Sequence, residues 1–162
     1  MNNDLYIASP LGFSEVGNLF MHEKLFPLIN GLGYGIIDPW TLTPRKDIQK
    51  VMKMPYGIER KNAWAKLNVV IGRNNVKGID KSRGLIAVLD GVDVDSGTAA
   101  EIGYAVAQNK PILAYRGDFR LSADNEGAIV NLQVAYFIRI SGGKIVTSLE
   151  DIKKYLPKVF PK

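Results

Sequence analysis

Four carboxylates stand close together in the stretch LDGVDVDSGTAAE, residues 89–101. Asp90, Asp93, Asp95 and Glu101 directly follow the apolar run GLIAVL. Such a run is typical of a buried strand, and open α/β sheets bind ligands beyond the carboxyl ends of their strands. Carboxylates this close together repel one another unless they separate, hydrate or meet a ligand. The crowding therefore favours a functional site.

Two other interpretations of the same stretch stay open. Thr98 and Glu101 have the T-x-x-E spacing of a capping box, in which the glutamate turns back to the N-cap amide, and that role alone explains one of the acids. The amides of Ser96, Gly97 and Thr98 could instead hold a phosphate at the start of a helix, although Asp95 and Glu101 oppose an anion there. Acceptor carboxylates suit a neutral, polyhydroxylated ligand such as a nucleoside better.

The rest of the chain indicates an α/β protein. Strand-length apolar runs alternate with helix-like segments, which predicts a parallel sheet covered by helices. No linker or repeat divides the sequence, so we expect one domain over residues 1–162. The predicted strands are 5–8, 34–38, 84–90, 111–115 and 134–140. The predicted helices run from Ser14 to about Gly31, over 57–80, from Thr98 to about Gln108, and onward from the serine cap Ser148.

Two segments early in the chain carry further expectations. The helix that begins after Ser14 is predicted to bury one apolar face, made of Val16, Leu19, Phe20, Phe26 and Ile29. The segment 39–56 is the least regular long stretch. Long irregular segments in compact domains are often lids or binding loops, so we expect substrate contacts there.

Composition excludes several kinds of site. The chain has no cysteine, which excludes disulfides, thiolate metal sites and cysteine nucleophiles. Its net charge of +5 is modest and its basic residues are dispersed, so nucleic-acid binding is not expected. The N-terminus lacks a secretory pattern, and no apolar run approaches the ~20 residues of a membrane helix. We expect a cytoplasmic protein without membrane contacts.

Motifs along most of the chain resemble the nucleoside 2-deoxyribosyltransferase family. They are LYIASPLGF near the start, GLIAVLDGVDVDSGTAAEIGYA in the middle, and YRGDFR followed by VNLQVAYFI. The resemblance implies a flavodoxin-like α/β fold and a homo-oligomer, as a dimer, tetramer or hexamer. It also implies exchange of the base of 2′-deoxynucleosides with free purine or pyrimidine bases, in nucleotide salvage, through a covalent deoxyribosyl-enzyme. It implies no metal and no organic cofactor.

The resemblance further implies roles for individual residues near the opening stretch. Glu101 would be the nucleophile, which calls for a carboxyl of ordinary acidic pKa that is ionised at neutral pH. Tyr6 would hydrogen-bond Glu101 and orient it, the alternative being a core tyrosine. Asp95 would contact the sugar or the base, the alternative being a helix N-cap. Ser96 and Gly97 are expected to bind substrate beside it.

Two asparagines are also expected to contact substrate. Asn131, in VNLQ, matches an asparagine that reaches the sugar 5′-hydroxyl in a neighbouring subunit's site, the alternative being a turn asparagine. Asn75 stands where several family members have an aspartate that protonates the leaving base. An amide cannot deliver that proton. Either Asp95 or another acid then supplies it, or the alignment slips and Asp80 is involved.

Other polar residues are expected to be structural. His22, the only histidine, is predicted to lie partly exposed on a helix. Arg116, Asp118 and Arg120, in YRGDFR, are predicted to form surface ion pairs. Two further functions remain as alternatives: an N-glycoside hydrolase of the same fold, acting on nucleosides or deoxynucleoside 5′-monophosphates, and a nucleotide-ligand sensor without turnover.

Overall fold

A parallel β-sheet forms the centre of the protein in the computed structural model, which describes residues 3–162. Within these residues five strands occur in the order β2-β1-β3-β4-β5, the flavodoxin-like order. The central strand β3 is buried at every position, as its uninterrupted apolar sequence requires when helices cover both faces. The predicted α/β architecture is confirmed. The strands are β1 Asp4–Ala8, β2 Gly35–Ile37, β3 Gly84–Val88, β4 Ile112–Tyr115 and β5 Lys144–Val146.

Helices cover both faces of this sheet. One face packs against α1, α2 and α7, and the other against α5, α6 and the end of α4. Among residues 3–162, no helix is both long and apolar enough to span a bilayer. The helices are α1 Glu15–Phe20, α2 Phe26–Gly31, α3 Arg45–Met52, α4 Ile58–Lys81, α5 Ser96–Ala107, α6 Leu132–Ile140 and α7 Leu149–Val159.

The strand predicted at 134–140 is wrong, because this segment is helix α6 and the fifth strand is β5. The run VAYFIRI has the β-branched and aromatic residues that favour a strand. Burial, however, follows the helical period: Val134 and Ile138 are buried, whereas Tyr136 and Ile140 are about half exposed. A strand would have placed all four on one face.

The helix that follows Ser14 is real, but its predicted apolar face is only partly buried: Phe20, Phe26 and Ile29 pack against the core, whereas Val16 and Leu19 do not. Ser14 caps α1 by accepting a hydrogen bond from the Gly17 amide at 3.0 Å. A π-helical turn, Met21–Leu25, then separates α1 from α2. This turn shifts the angular phase of the residues after it, so the apolar positions of α1 and α2 do not align. Val16 and Leu19 are therefore exposed, while the buried side chains are Met21, Leu25, Phe26 and Ile29.

Segment 39–56 is more regular than its sequence predicts. It contains a 3₁₀ turn, Pro39–Thr41, and the whole of α3. The turn is capped by Asp38, whose Oδ1 accepts a hydrogen bond from the Trp40 amide at 3.1 Å. The turn therefore fixes Pro39 and Trp40 directly beyond the carboxyl end of β2.

Helix α4 meets the sheet only through its C-terminal turns. A Cβ at Gly78 would lie 3.1 Å from the ring of Tyr6, so glycine allows the helix backbone to approach β1 closely. Of the described residues of α4, Gly78 and Ile79 are the buried ones. The N-terminal half of α4 consequently projects past the carboxyl edge of the sheet.

Candidate active site

Tyr6 and Glu101 form the centre of the site. Tyr6 lies on β1 and is fully buried, and Glu101 lies in the second turn of α5. The Tyr6 hydroxyl donates a hydrogen bond of 2.6 Å to Glu101 Oε1. The two residues are 95 positions apart in sequence, and the sheet brings them together because α5 begins just after β3, the strand next to β1. The expected contact between them is present.

Asn75 contacts the same carboxylate from α4. Its Nδ2 lies 3.4 Å from Glu101 Oε1, a long hydrogen bond. Its Oδ1 is buried and has no hydrogen-bond partner among the described residues. A buried acceptor without a partner is costly, and a bound ligand that carries an N–H or O–H donor would satisfy it. Asn75 therefore lies within the site, as expected from the sequence.

Asp95 is both a helix cap and a residue of the site. Its Oδ2 accepts hydrogen bonds from the Thr98 amide at 2.9 Å and from the Thr98 hydroxyl at 3.2 Å. Helix α5 begins at Ser96, so the predicted capping box with Thr98 as N-cap is wrong. Asp95 Oδ2 takes the hydrogen bond from the Thr98 amide that Glu101 would accept in a capping box, and this leaves Glu101 free to face the cavity.

A cavity of about 490 Å³ opens beside Glu101. Its outer wall is aromatic: the rings of Phe13 and Trp40 meet edge to face, with centroids 4.6 Å apart, and Trp64 adds a third ring. Its inner end is polar. A ligand with a flat apolar part and a hydroxylated end fits such a lining. The lining residues are Ser9, Phe13, Pro39, Trp40, Trp64, Asn68, Ile71, Asn75, Asp95, Gly97, Thr98 and Glu101.

Burial controls the ionisation of the central pair. Desolvation raises the pKa of Glu101, the hydrogen bond from Tyr6 lowers it, and the charge of Asp95 raises it. The net direction is upward, so the ordinary pKa expected from the sequence is wrong. The pKa of the Tyr6 phenol is raised strongly, first by burial and then by the Glu101 charge. Tyr6 is therefore a permanent hydrogen-bond donor to the carboxylate.

Arg116 is buried, which corrects its predicted place in a surface ion pair. Its guanidinium donates hydrogen bonds to the backbone carbonyls of Leu89, Gly91 and Arg120. The first two of these carbonyls lie between β3 and α5, so Arg116 ties together the connections that follow β3 and β4. The predicted surface pair exists only between Arg120 and Asp118, which form a salt bridge.

Several residues considered from the sequence lie outside the cavity lining. Ser96 begins α5 but faces solvent. Asn131 caps α6, and its Oδ1 accepts hydrogen bonds from the amides of Gln133 and Val134 at 3.0 and 3.3 Å. His22 is exposed and meets Phe26 edge to face. Asp80 is exposed and accepts hydrogen bonds from Tyr104 of α5 and from Gln108, the C-cap of that helix, so it joins α4 to α5 rather than entering the site.

Phe13, Trp64 and Asn68 were missed by the sequence reasoning, whereas Pro39 and Trp40 lie in segment 39–56, where substrate contacts were expected. One signal was available, because Trp64, Asn68, Ile71 and Asn75 have the spacing of a single helix face. Placing Asn75 in the site would have placed the other three along the same wall. Asp38 was missed as well: it is buried, its pKa is raised by that burial, and it holds the Trp40 amide.

Comparison with known proteins agrees with this fold. The sequence model of the nucleoside 2-deoxyribosyltransferase family matches residues 5–133. The match covers strands β1 to β4 almost completely, the residues that line the cavity and both residues of the central pair, and it ends before β5. The chain belongs to the nucleoside 2-deoxyribosyltransferase family. A search of curated protein sequences found no match.

Solved structures share the fold at low sequence identity. A 2-deoxyribosyltransferase from Leishmania mexicana is 22% identical, with 98% of this chain and 99% of that chain covered and a TM-score of 0.66. The 2-deoxyribosyltransferase of Bacillus psychrosaccharolyticus is 19% identical over 94% of this chain and 91% of that one, with a TM-score of 0.64. A CMP N-glycosidase from Clostridium botulinum is 14% identical over 96% and 98% of the two chains, with a TM-score of 0.56.

Proposed function

We propose that the protein is a nucleoside 2-deoxyribosyltransferase that exchanges the base of 2′-deoxynucleosides through a covalent deoxyribosyl intermediate on Glu101. The observation that carries this proposal is the Tyr6–Glu101 pair at the polar end of an aromatic cavity. Family membership supports the reaction class. The flat rings of Phe13, Trp40 and Trp64 suit a stacked base, and Asp95 and Glu101 suit the sugar.

In the first step, a carboxylate oxygen of Glu101 attacks the anomeric carbon C1′ from the face opposite the base. The C1′–O bond forms as the C1′–N bond breaks, and the electron pair of the broken bond goes to the base nitrogen. The Tyr6 hydrogen bond fixes the direction of the attacking carboxylate, which supplies orientation rather than charge. The aromatic wall holds the base in line for departure.

The leaving base also needs a proton. Asn75 cannot supply one, because an amide is not an acid in this range. Asp80 lies outside the cavity lining. Glu101 and Asp95 are the carboxyl groups of that lining, and Glu101 is the nucleophile. We therefore assign the proton transfer to Asp95.

In the second step, a nitrogen of the incoming base attacks C1′ and the C1′–O bond to Glu101 breaks. The carboxylate is regenerated, and the proton of the incoming base returns to the acid. Each step inverts the anomeric carbon, so the product keeps the β configuration, as in retaining glycoside hydrolysis.

We propose further that the protein is a homo-oligomer in which Asn131 reaches a neighbour's site. Support comes from helix α6, where Leu132, Tyr136 and Ile140 form an exposed apolar stripe directly after Asn131. Such a stripe is typical of a contact surface. Since the cap uses Asn131 Oδ1, a sugar hydroxyl would receive a hydrogen bond from Nδ2.

Subunit mixing tests this sharing. Glu101→Ala and Asn131→Ala subunits are each expected to be inactive. Mixed oligomers should regain activity, because some sites then combine an intact Glu101 and an intact Asn131 from different chains. Absence of recovery after verified subunit exchange would place Asn131 outside its neighbour's site.

A hydrolase uses the same nucleophile, with water replacing the second base, and the fold is shared with a CMP N-glycosidase. One experiment separates the two reactions. The protein is incubated with deoxyinosine alone and with deoxyinosine plus adenine, and the products are separated by chromatography. Transfer predicts deoxyadenosine only when adenine is present. Release of deoxyribose without deoxyadenosine would identify a hydrolase, and absence of both products would favour a ligand sensor.

A further inference from the structure

Helix α4 presents a row of four side chains to the cavity: Trp64, Asn68, Ile71 and Asn75. Spacings of four, three and four residues keep them on one helix face. The Asn75 end of the row contacts Glu101. Asn68 lies two helical turns earlier, which is about 10 Å further along the helix axis. The row therefore extends outward from the carboxylate along the length of the cavity.

We propose that Asn68 hydrogen-bonds the far edge of the base and makes the site select purine over pyrimidine nucleosides. This inference rests on the proposed function, which puts the anomeric carbon of the sugar at Glu101. From there the base extends past Ile71 toward Asn68. A purine carries its hydrogen-bonding edge one ring further from the glycosidic nitrogen than a pyrimidine does. The purine edge reaches Asn68, whereas the pyrimidine edge stops short of it.

The chemistry of the asparagine side chain fits this role. An amide offers two N–H donors and a carbonyl acceptor side by side. It pairs with the donor and acceptor of a 6-amino purine and equally with those of a 6-oxo purine. Asn68 therefore selects for base size and leaves adenine and hypoxanthine nearly equivalent.

Substitution of Asn68 tests the inference with deoxyadenosine, deoxyinosine and thymidine as donors. Asn68→Leu should lower kcat/KM for both purine donors by about tenfold, the loss of one hydrogen bond, and should change that for thymidine less than twofold. Asn68→Asp keeps only acceptors, so it loses the hydrogen bond to the acceptor of either purine, and kcat/KM for deoxyadenosine and deoxyinosine should fall by similar factors. The matched control is Asn62→Leu, an exposed asparagine of α4 outside the cavity lining, which should change nothing.

Equilibrium binding in a Glu101→Ala background, which cannot turn over, provides the second readout. The same tenfold loss should appear in the Kd of deoxyadenosine and not in that of thymidine. Equal losses for both nucleosides, or no loss for either, would overturn the inference. If wild type exchanges bases while Asn68→Leu keeps the purine-to-pyrimidine ratio, the inference fails and the proposed function stands. If wild type exchanges no base but shows the Asn68-dependent purine preference in binding, the proposed function fails and the inference stands.

Discussion

Helices α4 and α5 both line the cavity, but the protein holds them in different ways. Helix α5 packs on the central strands, and within its 12 described residues Thr98, Ile102 and Ala105 are buried. Helix α4 is twice as long, with 24 described residues, and its buried ones, Gly78 and Ile79, lie near its C-terminal end. The group proposed to react thus stands on the fixed helix, while the residues proposed to recognise the base stand on the projecting one. Fixed geometry suits the reacting group, because a small misplacement of that group lowers the rate steeply.

The largest expected effect is on the fixed helix. Replacing Glu101 with alanine removes the nucleophile, and transfer should fall by about 10³-fold or more. The thermal midpoint should stay near that of wild type, because Glu101 faces the cavity rather than the core. Steady-state exchange and a melting curve on the same sample measure both. Activity within tenfold of wild type would contradict the assignment of Glu101 of α5 as the nucleophile.

The second effect concerns Asp95, at the start of α5. Asp95→Asn keeps a good N-cap, so α5 should remain in place. Turnover should fall by about 10²-fold, since the acid that protonates the leaving base is lost. Loss of a general acid should also change the pH profile of turnover relative to wild type.

Asp80→Asn is the matched control for Asp95, because Asp80 is exposed and lies outside the cavity. It should leave both the rate and the pH profile unchanged. A pH shift in Asp80→Asn without one in Asp95→Asn would identify Asp80, on α4, as the proton donor. The chemistry would then depend on α4 as well as on α5.

Tyr6→Phe should have a smaller effect, about 10–100-fold on turnover, because orientation is lost while the nucleophile stays. The Tyr6 hydrogen bond lowers the pKa of Glu101. Its removal therefore raises that pKa, and the acidic limb of kcat/KM should move to higher pH. Unchanged kinetics and an unchanged acidic limb would show that Tyr6 is a structural tyrosine of the core and does not orient Glu101.

The smallest expected effect belongs to the outer face of α4. Val69 is 61% exposed, and Val69→Ala should change the free energy of unfolding by no more than about 0.5 kcal/mol. Ile102→Ala, on the buried face of α5, should cost about 2–5 kcal/mol. Denaturant titration of both variants measures the difference. A large cost at Val69 would show that another chain covers α4 in solution, which would sharpen the proposal of an oligomer.

The sequence predicts much of the sheet because buried parallel strands leave long apolar runs, as in β3. It fails at 134–140, where β-branched and aromatic residues serve a helix whose packing overrides their strand preference. It fails also at the π-helical turn Met21–Leu25, which has no sequence signal of its own. The burial of Arg116 could not be predicted from the sequence either. Its hydrogen-bond partners are backbone carbonyls, which every residue carries, so no particular residue type indicates them.

For the candidate site, too, some residues could be predicted from the sequence and others could not. The contact between Tyr6 and Glu101 joins residues far apart in sequence, and only the resemblance to a family indicated it. Asp95 combines a cap and a place in the cavity, which the sequence presented as alternatives. The wall residues Trp64 and Asn68 could have been found from helical spacing once Asn75 was placed. The rings of Phe13 and Trp40 come from separate connections and meet only in the folded chain.

The most direct test of the account is the identity of the residue that carries the sugar. A 2′-fluoro-arabino nucleoside forms the glycosyl-enzyme and releases it slowly, because fluorine destabilises the oxocarbenium-like transition state. Mass spectrometry of the treated protein should show one added sugar, and peptide mapping should place it on Glu101. Glu101→Ala, treated in the same way, should remain unmodified. An adduct on any other residue, or exchange activity in wild type with no adduct at all, would contradict the account.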